Sequence, residues 1–183
     1  MCPVSQRWMT GFTVLGVASR LLRYLLHFPL WEDEAFLGIS LAERSYRELM
    51  QPLAFHQVAP VPFLWIERAI IDVLGFNEWS LRLAVCVAGI ASLLLFRRIV
   101  TRLLDGWARV VAYGVFAVAY PGIRYAAEAK PYGIDLLMSL LVLWCLVEWL
   151  ATRTPRWLWV LTVVAPIAIM SSLPAAMIVG TAS

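Results

Sequence analysis

The stretch "VPFLWIERAIIDVLG", residues 61–75, decides how often this chain crosses a membrane. A helical span needs about 20 predominantly apolar residues. Five other segments approach that length: 8–30, 79–97, 107–123, 133–151 and 157–178. The 61–75 stretch is shorter and carries Glu67, Arg68 and Asp72. At helical spacing those charges share one face, while Phe63, Ile66, Ile70 and Leu74 fall on another. That is the pattern of a helix lying in the membrane interface. Two Arg-rich segments test the count, "FRRIVTRLLDGWAR" (96–109) and "ATRTPR" (151–156). Both fall on the cytoplasmic side, as the positive-inside rule requires, only if 61–75 does not cross. Residues 31–78 and 124–132 then face outward. Arg124 and Lys130, in a short outer loop, and Arg20 and Arg23, in the outer half of the first span, run against the rule. They ask for an anionic partner outside. The expected fold is all-α: a polytopic membrane helix bundle of about five spans, with interfacial helices in a large first outer loop, and residues 1–183 forming one transmembrane module.

Composition supports this class. The chain is 62% hydrophobic and 15% charged, against about 25% charged residues in an average soluble domain. Nine Trp suit membrane interfaces. The net charge of +3 comes from fourteen Arg and one Lys, Lys130, with no basic run dense enough for nucleic acid. Cys2, Cys86 and Cys145 have neither disulfide-framework nor zinc spacing, and Cys2 does not lie in a usual lipobox. Arg7 and "WMTGFTVLGVAS" could read as a signal peptide. The apolar character resumes after Arg20 and Arg23, so the expectation is an uncleaved first helix.

The outer segment holds the first candidates for chemistry. "EAFLGISLAERSYRELM" (34–50) is expected to be one helix, with Glu43–Arg47 and Arg44–Glu48 at i, i+4. "QPLAFHQVAPVP" then breaks it with three Pro. Ahead of it stand Glu32, Asp33 and Glu34. Asp33 can cap that helix and Glu34 suits its dipole. A carboxylate at a membrane surface can equally take a proton from an acceptor hydroxyl. A second group is "RYAAEAKPYGID" (124–135), where Glu128, Lys130, Tyr132 and Asp135 crowd one end of two helices. It reads either as a snorkelling turn with Pro131 opening the next helix, or as a phosphate site around Lys130. His56 and Gln57 lie in "FHQVAP" as a surface residue or ligand and a neutral hydrogen-bonder. Arg82 in "EWSLRL" could snorkel or hold a lipid phosphate. His27 reads as interfacial.

Three blocks in order resemble one family: "LWEDEAF" (30–36), "FHQVAPVPFLWIERAIIDVLGFNEWSLRLAVCVAGIASLLLFRRI" (55–99) and "YAAEAKPYGIDLL" (125–137). The chain resembles the N-terminal part of a GT-C fold glycosyltransferase, the polytopic enzymes that include protein O-mannosyltransferases, aminoarabinose transferases and their bacterial relatives. The resemblance implies an enzyme that moves a sugar, with inversion, from a polyprenyl-phosphate donor to a hydroxyl on a lipid, glycan or protein acceptor. It implies Asp33 as catalytic base with Glu34 beside it, and a second acidic position at Glu128 or Asp135. Lys130, Tyr132, Arg82, His56 and Gln57 are the expected substrate-binding residues. A divalent cation (Mg2+ or Mn2+) joining Asp33 with Glu128 or Asp135 is compatible with it, but no ligand spacing demands one. The implied location is a bacterial inner membrane with the active site facing outward. Family members are longer and carry further spans, so this chain reads as a fragment. The alternative is a non-catalytic membrane subunit or an inactive fragment of such an enzyme.

Overall fold

The computed structural model of the chain describes residues 3–26 and 28–182; Cys2 and His27 lie outside them. Among the described residues there are nine α-helices and no strand: α1 (Pro3–Leu25), α2 (Glu32–Glu43), α3 (Val61–Leu74), α4 (Glu78–Leu103), α5 (Gly106–Val118), α6 (Tyr120–Arg124), α7 (Tyr132–Thr152), α8 (Arg156–Ser171) and α9 (Leu173–Ala182). The fold is all-helical, as expected.

Helix α4 is the central post. Its start is fixed by a reciprocal cap: the Asn77 side chain accepts from the Ser80 amide at 2.9 Å, and the Ser80 hydroxyl accepts from the Asn77 amide at 3.1 Å. Small residues let neighbours approach its face. A Cβ at Gly89 would lie 2.6 Å from the Ala126 Cβ, and one at Gly133 would lie 3.1 Å from the Val85 carbonyl. The segment after α6 and the start of α7 are therefore drawn tightly onto α4. A buried cluster of Leu37, Leu41, Phe63, Leu81, Val85 and Ile134 joins α2 and α3 to that end of the bundle.

Two helices, α4 and α7, are long and apolar enough to cross a membrane. A third candidate is α5 continued by residues 120–127, which bends by 48° at the break. Expected span 157–178 is interrupted at Ser172, where α8 gives way to α9. Expected span 8–30 falls on α1, which starts earlier, at Pro3, ends at Leu25 and carries Arg7, Arg20 and Arg23.

Arg20 finds main-chain partners within the bundle. It is buried, and its Nη1 donates to the Gly16 carbonyl at 2.9 Å and the Ala117 carbonyl at 3.0 Å. Ala117 sits at the end of α5, where the break leaves carbonyls without intrahelical donors. The guanidinium thus closes the end of a broken helix. Arg23 lies over the Phe28 ring, 4.6 Å from its centroid.

Two local expectations are corrected. Residues 34–50 do not form one helix. α2 ends at Glu43, Arg44 is extended, and Glu48–Met50 form a separate 3-10 turn. The cause lies in α3, whose Arg68 donates to the carbonyls of Leu41 (2.6 Å), Ala42 (3.2 Å) and Arg44 (3.3 Å). Those carbonyls are the ones a continuing helix would need. Glu48 turns instead to Ser45, accepting from its amide at 2.8 Å and its hydroxyl at 2.7 Å.

The second correction is the rotation of α3. At fourteen residues it is about 21 Å long, short of the hydrocarbon thickness. Its buried side is Phe63, Leu64, Glu67 and Ile71, whereas Ile66 and Leu74 of the expected apolar face are exposed. Arg68 and Asp72 remain together outside as an i, i+4 pair at 3.0 Å. Glu67 goes inward because it follows Phe63 and Leu64 by one turn on the stripe that meets α2 and α4.

Both oxygens of Glu67 are buried without a hydrogen-bond partner, and burial pushes its carboxyl up to about 8. An ordinary Glu titrates near ~4.3. Between those values the folded chain keeps a proton that the unfolded chain has lost, so stability falls as pH rises through that window. Glu67→Gln removes the dependence. In thermal unfolding of the complete protein in detergent, the variant should match the parent near pH 5 and gain on it progressively towards pH 8.

Candidate functional site

Glu34 assembles one end of the bundle. It lies in the first turn of α2 with only 1% of its surface exposed. Its Oε2 accepts from the Trp31 amide at 3.0 Å, which satisfies an otherwise free donor at the helix start. Arg82, near the start of α4, grips it with two donors, Nε to Oε1 at 3.2 Å and Nη2 to Oε2 at 2.9 Å. The Ala129 amide donates to Oε1 at 2.6 Å. Each oxygen therefore holds two donors, the full capacity of an ionised carboxylate. Arg82 is equally occupied, since it also donates to the carbonyls of Phe28 (2.6 Å) and Pro29 (3.4 Å). Each member of the pair is thus engaged by groups of the protein itself.

Asp33 points the other way. The N-cap of α2 is Trp31, not Asp33, because Glu34 supplies the bond that closes the helix start. Asp33 stands two positions later in the first turn, with 71% of its side chain exposed. Lys130 Nζ lies 3.9 Å from Asp33 Oδ2 and donates to Gln57 Oε1 at 2.6 Å. The ammonium is thus held by the neutral amide and faces the carboxylate across a looser gap. Residues distant in sequence, 33, 57 and 130, converge here.

The loop that presents Gln57 is strained. Phe55 (φ 56°) and His56 (φ 55°) both adopt left-handed backbone, which bulky side chains disfavour. The Phe55 ring stacks on Phe36 of α2 at 4.2 Å, which holds the turn in place. His56 is exposed. It lines a groove of about 500 Å³ with Gln57, Leu49, Leu53, Val58 and Leu64.

The second loop supplies the other side. Arg124 pairs with Glu128, which is 7% exposed, so Glu128 is engaged within its own loop. The Arg124 guanidinium also lies 5.5 Å from the Trp31 ring centroid and 5.8 Å from that of Tyr125. Tyr125 and Tyr132 meet at 4.8 Å. Asp135 lies beside Ser172, at the break between α8 and α9.

Among the described residues, no three His, Cys, Asp or Glu side chains converge as metal ligands. Glu128 is paired with Arg124, and Asp33 faces Lys130. Sequence reading put Asp33, Lys130 and the second loop on one face, but it did not foresee that Glu34 and Arg82 bind each other. Their separation of 48 positions carries no pattern. The only available signal was that both charges flank apolar segments and so need partners.

A helical bundle with apolar membrane-length helices and an exposed carboxylate beside an ammonium defines a class once its relatives are known: a membrane glycosyltransferase of the GT-C type. The family described as dolichyl-phosphate-mannose-protein mannosyltransferase matches residues 58–182, more than half of the chain, and the chain belongs to that family. The match covers Arg82, Glu128, Lys130 and Asp135 and begins after Asp33 and Glu34. No curated protein and no solved structure matches the chain.

The Glu34–Arg82 pair makes a testable demand on stability. Arg82→Ala strands a buried carboxylate, an event that costs about 3–5 kcal/mol. Arg82→Lys keeps the charge but loses the two-pronged geometry. The order of thermal stability should be parent, then Lys, then Ala. Equal melting of parent and Ala variant would show that the pair supports nothing.

Proposed function

We propose that the complete enzyme transfers a sugar from a polyprenyl-phosphate donor to an acceptor hydroxyl at the outer membrane face, with inversion. The observation that carries this reading is the pairing of an exposed carboxylate, Asp33, with a fixed ammonium, Lys130, at one end of a membrane bundle. In the proposed step the acceptor oxygen bonds to the anomeric carbon as its proton passes to Asp33. The bond from that carbon to the phosphate oxygen breaks, and its electron pair leaves with the lipid phosphate. Lys130 and Arg124 offset the negative charge that builds on this leaving group. Glu34 and Arg82 serve as positioning residues, since their donors and acceptors are already engaged. A single base acting once is the simplest route to inversion.

The five-span arrangement belongs to the same proposal. α1, α4, the bent α5–α6 pair, α7 and the α8–α9 pair cross, while α2 and α3 lie along the outer surface. Trp65, Ile66 and Val73 give α3 an exposed apolar side for that surface. The groove that leads to Gln57 offers the donor's isoprenoid an apolar wall. Introduced cysteines give the test of sides. An impermeant thiol reagent applied to intact cells should label position 51 and not position 102, after removal of the native cysteines.

Asp33→Asn tests the chemistry. Since Glu34 closes the helix start, the substitution leaves α2 intact. Losing a general base typically lowers the rate about a hundredfold to ten-thousandfold. Lys130→Ala should weaken use of the lipid-phosphate donor, with partial recovery in Lys130→Arg. Sugar transfer by Asp33→Asn at the parental rate would remove the carboxylate from the mechanism and favour a non-catalytic role for these loops.

A further inference from the structure

At the end of the bundle opposite Asp33, a second site is built from the start of α1, the end of α4, the end of α7 and the start of α8. These elements enclose an open cavity of about 690 Å³. Five arginines line it, and two of them are neutralised locally. Arg102 pairs with Glu148 at 2.7 Å, and Arg109 pairs with Asp105 at 3.0 Å.

The other three have no carboxylate partner among the described residues. Arg97 donates to the hydroxyls of Thr13 at 2.9 Å and Thr10 at 3.4 Å. Arg98 lies over the ring of Trp144 at 5.8 Å, and Arg156 over that of Trp157 at 5.2 Å. The two indoles meet edge to face at 5.0 Å. Each has its ring N–H buried with no acceptor. Such unpaired donors are uncommon in folded chains. The cavity therefore concentrates three guanidiniums that no carboxylate neutralises, and its one lining carboxylate is already used by Arg102.

We propose that this cavity binds the phosphate headgroup of an anionic phospholipid. A phosphate diester offers acceptor oxygens and no donors, which is the complement of this lining. Guanidiniums match its geometry with paired bonds. The same chemistry could come from a soluble phosphate, but the setting favours a lipid. The cavity opens between the ends of membrane-length helices, and its rim includes the exposed apolar side chain of Leu94. Basic pockets between helices at a membrane face are places where anionic headgroups lodge.

Native mass spectrometry of the complete protein, with phosphatidylglycerol or phosphatidylcholine of identical acyl chains, tests this directly. The parent should retain phosphatidylglycerol over phosphatidylcholine by about tenfold. Arg98→Gln combined with Arg156→Gln should bring the ratio near parity, and both side chains are exposed, so the fold should tolerate the change. Arg156→Gln alone should lower the ratio about fivefold, and it serves as the deciding variant if the double variant is not recovered. Inorganic pyrophosphate should not displace the lipid. Parity in the parent, an unchanged ratio in the variants, or displacement by soluble pyrophosphate would each overturn the proposal, the last in favour of a soluble anion.

Discussion

The end of this bundle that carries Asp33 depends on one carboxylate. Glu34 is held by a helix-start amide, by Arg82 of the central helix and by the main chain of a loop 95 positions away. A buried charge is tolerable only when it is paired and hydrogen-bonded, and here the requirement has a structural consequence. Satisfying Glu34 fixes where α2 begins, how α4 is oriented against it and where residues 128–130 must lie. Asp33 inherits its direction from this. The next side chain on a helix points about 100° away, so anchoring Glu34 inward leaves Asp33 facing outward, toward Lys130.

Arginine has a similar role elsewhere. Fourteen Arg against one Lys reads in the sequence as membrane-flanking charge. Several of them instead bind main-chain carbonyls at places where helices end. Arg20 reaches Ala117, Arg68 reaches Leu41, Ala42 and Arg44, and Arg109 reaches Leu104 at 2.7 Å. A guanidinium has five donors in a rigid fork and can serve two or three carbonyls at once. An ammonium is a more compact and more strongly hydrated charge. A bundle with broken and short helices exposes many free carbonyls, and arginine supplies the donors.

This explains what could be read from the sequence and what could not. The helical class, the apolar spans α4 and α7 and the meeting of the two loops follow from local pattern, because length, hydropathy and charge sign are carried by neighbouring residues. The rotation of α3 does not. Phe63, Ile66, Ile70 and Leu74 make as good an apolar stripe as Phe63, Leu64 and Ile71, and only packing against α2 and α4 selects the one that buries Glu67. The end of α2 escaped for a related reason: Arg68 competes for its carbonyls from another helix, and backbone acceptors leave no mark in a sequence. In the candidate site, Asp33 and Lys130 could be named because their charge is conspicuous beside membrane segments. The division of labour between Asp33 and Glu34 could not, since it rests on partners 48 and 95 positions distant.

The bond between Glu34 and the amide of Ala129 draws support from the peptide chain and not from the side chains of the loop. Only proline, which lacks the N–H, would forfeit it outright. Such a main-chain anchor fixes the path of the loop and leaves the side chains of Glu128 and Lys130 to their own partners, Arg124 on one side and Gln57 with Asp33 on the other, so a change at either position is felt first at those contacts and not in the course of the chain.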